Sequence, residues 1–142
     1  MTFLLDVNVL IALIDPMHVQ HDQAHGWFAA REHPAWATCP LTENGVLRII
    51  GHPRYPNSPG TPAAVAPLIQ GLCALPGHVF WPDHISLLDI GHIDTARLLT
   101  SGQITDSYLL ALASAHGGQL VTFDHRLLTH AVHQGTPHLL KI

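Results

Sequence analysis

Apolar residues along the chain gather into short runs without strict alternation, each closed by a polar or turn-forming residue. Runs of this kind read as strands buried on both faces, the habit of a parallel sheet. They predict strands at 2–6, Ala35–Cys39, His78–Trp81 and Gln119–Phe123, with His138–Lys141 as a possible fifth. Helices are predicted between them, the first over 9–14 behind an Asn8 cap and closed by Asp15-Pro16. The next covers about 19–32 and is amphipathic around Val19, Ala24, Trp27, Phe28 and Arg31. Pro40–Ile50 starts with a proline suited to a first helical position, Ala63–Leu75 stops at Pro76-Gly77, and Ile93–Leu99 is short. Asp106–His116, capped by Thr105 and ended by Gly117-Gly118, is apolar on nearly every side beyond its first turn, so it is expected to be buried. A helical turn is expected around His125–Val132, and the proline-rich stretch Pro53–Pro62 reads as a connection. Strands alternating with helices imply right-handed crossovers and a mainly parallel sheet with helices on both faces, an α/β fold.

Length and composition narrow the reading. A chain of 142 residues fits one domain, 1–142. With 47% hydrophobic and 11% charged residues and a mean hydropathy of +0.23, it can bury enough surface to fold. No apolar run approaches the ~18 residues of a membrane span, and the N-terminus lacks the pattern of a signal peptide, so the cytoplasm is the expected compartment. Cys39 and Cys73 read as buried reduced thiols. A formal charge of −4 argues against a binder that holds nucleic acid through many phosphate contacts. An enzyme that meets phosphate through metal ions is still allowed, and the thirteen histidines can erase the charge near pH 6.5.

Candidate chemistry lies in the acids. Asp6 closes the first strand, Glu43 falls in the first helical turn after the second, Asp124 follows the fourth, and Asp106 begins a helix. In an open α/β sheet the carboxyl edge of the strands forms the ligand crevice, so these acids can converge from across the chain. Two carboxylates about 5 Å apart repel by roughly 3 kcal/mol at an effective dielectric near 20, so a cation is needed between them. Oxygen ligands without cysteine suit Mg²⁺ or Mn²⁺, which points to phosphate chemistry. Each acid taken singly is more readily a helix or turn cap, and it is their joint placement beside apolar strands that favours a metal site. No motif pairs Ser107 or Thr105 with a base, which excludes a serine hydrolase.

Four segments carry a resemblance: LLDVNVLIAL at Leu4–Leu13, LTENGVLRI at Leu41–Ile49, ITDSYLLALA at Ile104–Ala113 and LVTFDHRL at Leu120–Leu127. Together they resemble a PIN-domain ribonuclease of the VapC toxin type, over nearly the whole chain. The resemblance implies a three-layer α/β/α sandwich and a metal-dependent endoribonuclease, the toxin of a type II toxin–antitoxin system neutralised by a VapB-type antitoxin, with a homodimer as the expected assembly. By position it implies metal-binding roles for Asp6, Glu43 and Asp106, with Asp124 as a fourth acid acting through water or a second ion. Mg²⁺, or Mn²⁺ in its place, would activate water for attack on an RNA phosphodiester.

Asn8 matches a position where an amide orients a bound water or phosphate, and Thr122 a hydroxyl two residues before the last acid. Arg48, on the same predicted helix as Glu43, can bind phosphate or pair with an acid. Trp27, Phe28 and Trp36, with the helix at Leu41–Ile50, can form a groove for an antitoxin helix or belong to the core.

Other readings compete. A haloacid-dehalogenase-like phosphatase would want an acid where Asn8 stands. A histidine-rich metal binder would use His18, His21 and His25 on one helix face, with His130 and His133 as a second pair. A PIN nuclease of RNA processing, or an idle domain binding antitoxin and DNA, is also compatible with the chain. The RNA target is not specified by any of these residues.

Overall fold

The structure, a computed structural model, describes residues 1–32 and 34–142. Strand β1 (Phe3–Leu5) runs straight into helix α1 (Val7–Ile14), with Asp6 as the only residue between them. There follow α2 (His21–Ala29), β2 (Trp36–Thr38), α3 (Pro40–Ile50), α4 (Pro62–Cys73), β3 (His78–Phe80), α5 (Ile104–Ala115), β4 (Gln119–Thr122) and β5 (Leu139–Lys141). The five strands form a wholly parallel sheet in the order β3-β2-β1-β4-β5. The fifth strand, only possible from sequence, pairs with β4 from Leu120↔Leu139 to Thr122↔Lys141.

The sheet separates two apolar layers, giving the α/β/α sandwich. One face carries Leu5, Trp36 and Val121 under the first four helices, with Val9, Val46, Val65 and Ile69 in the same cluster. The other carries Leu4, Ala37 and Leu120 under α5, whose Leu109, Leu110 and Leu112 are fully buried. Alternate residues of each short strand serve opposite layers, which explains why the strands are apolar throughout. Trp36 lies wholly in the core, edge-on to Phe28, and Trp27 and Phe28 pack beside it. The proposed aromatic groove for a partner helix is therefore mostly core.

Local departures from the expected elements have identifiable causes. α1 begins at Val7 because Asp6, and not Asn8, is its cap: the Asp6 carboxylate accepts from the Val7 N–H at 2.7 Å. α2 is shorter than 19–32, and Met17–Gln20 form turns. In place of a helix over Ile93–Leu99 there is a single 3₁₀ turn at Thr95–Arg97. α5 starts at Ile104 after a 3₁₀ turn, Ser101–Gln103, so Thr105 lies inside it and caps nothing. The stretch around His125–Val132 holds turns and an isolated bridge, Ile93↔Val132. The Pro53–Pro62 connection is pinned by Asp15 beyond the end of α1, which accepts hydrogen bonds from Tyr55 and Asn57. No helix among the described residues is long and apolar enough to cross a membrane.

Candidate active site

The strand order reverses between β1 and β4. β1 leads by crossovers to β2 and β3 on one side, while β4 and β5 extend the other, so the carboxyl ends of β1 and β4 flank the switch point where such sheets open a crevice. Asp6 follows β1 directly and Asp124 lies two residues beyond β4. Asp106, in the first turn of α5, joins them from the α5 layer.

Thr122 organises this corner. Its hydroxyl, fully buried, donates to Asp6 Oδ2 at 2.7 Å and accepts from Asn8 Nδ2 at 3.1 Å and from the Asp124 N–H at 3.0 Å. One hydrogen and two lone pairs are all in use. Asn8 closes the ring by accepting from the Phe123 N–H at 3.2 Å. The Asp6 N–H in turn donates to the Val121 carbonyl across the β1–β4 pair. Both oxygens of Asp6 are thus oriented before any ligand binds.

Burial pushes the Asp6 carboxyl above its usual range; the Thr122 and Val7 hydrogen bonds pull it back, and the charge of Asp124 pushes it further up. Asp106 is pushed up to about 6, first by burial and then by the negative charges of Asp6 and Asp124. Among the described residues, none of the three is paired with a lysine or arginine; the basic ion pair formed is Arg97 with Asp94. Three oxygen-donor acids sharing one field with no cation among them suit a hard divalent ion of the Mg²⁺ or Mn²⁺ kind.

Glu43 is held elsewhere. It sits in the first turn of α3, where its Oε2 accepts from the Thr38 hydroxyl at 2.7 Å, and its charge acts on Cys73 and His78. Thr38 shares the layer of Trp36, on the opposite side of the sheet from Leu4 and α5. The structure therefore brings together Asp6, Asp106, Asp124, Asn8 and Thr122, and places Glu43 in a second cluster.

Arg48 is not brought to the acids either. Five residues along a helix turn it roughly 140° from Glu43, and it stands exposed on a cleft of about 490 Å³ with Ile49, His52, Arg54, Tyr55 and Pro56. The histidine face of α2 is structural: His21 and His25 bond the Ala12 and Leu13 carbonyls, at 2.7 and 2.9 Å, and so satisfy the end of α1. Nδ1 of His18 accepts from the Gln20 N–H. Both cysteines are free, and Cys73 is only half-buried.

Thr38 is the residue that sequence reasoning missed. Its available signal was a hydroxyl at the end of an otherwise apolar strand, whereas Thr122 was singled out by its place two residues before Asp124 in the family resemblance.

The PIN domain family model matches residues 3–132. The chain is 46% identical over 132 residues to Ribonuclease VapC44 of Mycobacterium tuberculosis, an alignment covering 93% of this chain and 92% of the relative. It is 42% identical over 131 residues to Ribonuclease VapC39 of the same organism, covering 92% and 94%. Ribonuclease VapC38 is 41% identical over 128 residues, covering 90% and 89%. With its acids gathered at the switch point of a parallel sheet and its likeness to these enzymes running almost end to end, the chain belongs to the VapC-type ribonucleases of the PIN-domain family.

Proposed function

We propose that the chain is the toxin of a type II toxin–antitoxin pair, a Mg²⁺-dependent endoribonuclease that acts on RNA in the cytoplasm and is held inactive by a VapB-type antitoxin. One observation supports this reading: Asp6, Asp106 and Asp124 lie near enough at the switch point of the sheet for their charges to act on one another, without a basic partner among the described residues. Bound there, the divalent ion would acidify a water and offset the negative charge that builds on the phosphate.

Asp6 and Asp106 would hold the ion, joined by Glu43 once its carboxylate leaves Thr38, and Asp124 would be the fourth acid, acting through water or a second ion. The chain's own contribution is preorganisation. Thr122 and the Val7 N–H fix both oxygens of Asp6, while Asn8 fixes Thr122 and the Phe123 N–H, so the approach to Asp124 is rigid as well. The raised proton affinity of Asp106 makes ion binding release a proton below about pH 6. Arg48, with His52 and Arg54, offers a basic surface for RNA phosphates, and a homodimer would pool the few cations of the chain.

The test is induction of the chain in a bacterial host beside Asp106→Asn, with growth followed and total RNA examined. Growth arrest with discrete RNA fragments is expected, and both are expected to vanish in the variant. Arrest that survives in a folded Asp106→Asn would overturn the assignment of the site. RNA cleavage without arrest would leave a PIN nuclease that is not a toxin.

A further inference from the structure

Glu43, Cys73 and His78 each offer a ligand atom, and these atoms lie within 4.8 Å of one another. The three come from separate elements: Glu43 from the start of α3, Cys73 from the last residue of α4, and His78 from the first of β3. Gly77 makes the approach possible, because its φ of 86° turns the chain from α4 into β3, and a Cβ there would strike the Pro34 carbonyl. His78 is held by Trp36, with ring centroids 4.6 Å apart, and its Nε2 lies 2.8 Å from the Thr38 hydroxyl that donates to Glu43. A cleft of about 250 Å³, lined by Glu43, Leu47, Ala66, Ile69, Gln70 and Cys73, reaches two of the three from solvent.

A carboxylate, a thiol and an imidazole together are the donor set of a borderline-soft ion, unlike the all-oxygen set at the switch point. We infer that Glu43, Cys73 and His78 form a second metal site that takes Zn²⁺, and that Zn²⁺ bound there keeps Glu43 away from the catalytic acids.

Zinc bonds of 2.0–2.3 Å in a tetrahedron set ligand atoms about 3.5 Å apart, so atoms already within 4.8 Å of one another need only a small adjustment to bind, and water would fill the fourth position. The surroundings favour a cation. No lysine or arginine pairs with Glu43 among the described residues. The binding claim stands on this geometry alone, whereas the effect on cleavage rests on the proposed role of Glu43 in the nuclease.

The experiment uses the full chain freed of metal. Zn²⁺ is titrated calorimetrically in excess Mg²⁺, and Co²⁺ is titrated with absorbance read for a cobalt–thiolate band. One tight Zn²⁺ per chain and a Co²⁺ band are expected, with the band absent in Cys73→Ser. Zn²⁺ affinity should fall by at least about tenfold in both Cys73→Ser and His78→Asn, since even supporting residues cost a metal site that much. Zn²⁺ should slow Mg²⁺-dependent RNA cleavage by the wild type and not by Cys73→Ser. Unchanged Zn²⁺ binding in both variants, or no thiolate band with Co²⁺, would overturn the site whether or not the chain cleaves RNA. Tight binding at the trio with cleavage untouched would overturn the effect on Glu43.

Discussion

Thr122 and Asp106 show how single residues prepare the site. Thr122 uses all its hydrogen-bonding capacity to tie Asp6, Asn8 and the Asp124 backbone together, so the cluster has fixed geometry at the expense of electrostatic repulsion. Asp106 carries that expense visibly, pushed up to about 6 from an ordinary 3.8 by burial and by Asp6 and Asp124. Because its proton affinity is higher in the folded chain than in the unfolded one, its contribution to stability is full below about pH 4 and is lost as the pH rises through 6. Solvent screening at this half-exposed carboxyl keeps its contribution well under the roughly 3 kcal/mol that such a shift would carry in full. In chelator, Asp106→Asn should therefore melt progressively higher than the wild type as pH rises from 4 to 7, and saturating Mg²⁺ should narrow the gap. Melting curves of the two proteins across that range decide it; a constant difference would mean that Asp106 carries no electrostatic strain.

At the scale of elements, α1 and α3 come together closely beside Asp6. A Cβ built on Gly45 of α3 would meet Cγ2 of Val7 at 2.6 Å and Cγ1 at 3.2 Å, and Val7 is the residue that follows Asp6. Val7 is half-buried and stiff at χ1, so it has little room to yield. Overpacking of this kind costs about 1–3 kcal/mol, against up to about 1 kcal/mol gained by replacing a glycine inside a helix. Gly45→Ala should lower the melting temperature by about 3 °C and slow RNA cleavage, because the Val7 N–H holds Asp6. Thermal denaturation and a cleavage assay on the same preparation check this; a variant with raised stability and full activity would show that the contact is slack.

Across the whole molecule, the strands and the acids at their ends could be read from the sequence because both are local signals: an apolar run, and a carboxylate where it stops. The parallel α/β class followed from the alternation of elements. The contact of Glu43 with Thr38, Cys73 and His78 did not, since it depends on how α3 is rotated about its axis, which packing of Val46 and Ile50 into the core decides. For the same reason Glu43 and Arg48 share a helix without sharing a site. The cap of α1 was misplaced by two residues because Asp6 and Asn8 are both good capping residues, and only the β1–β4 hydrogen bonds assign Asn8 to Thr122. Thr38 and its neighbours stayed hidden because their meeting depends on the turn at Gly77. Whether the acids at the switch point hold a catalytic divalent ion is decided most directly by the rate of RNA hydrolysis by purified wild type and Asp6→Asn as Mg²⁺ is titrated. No cleavage is expected in chelator, with saturable activation of the wild type by Mg²⁺ and a loss of at least about a hundredfold in a folded Asp6→Asn; cleavage in chelator, or near wild-type rates in the variant, would contradict metal catalysis at these acids.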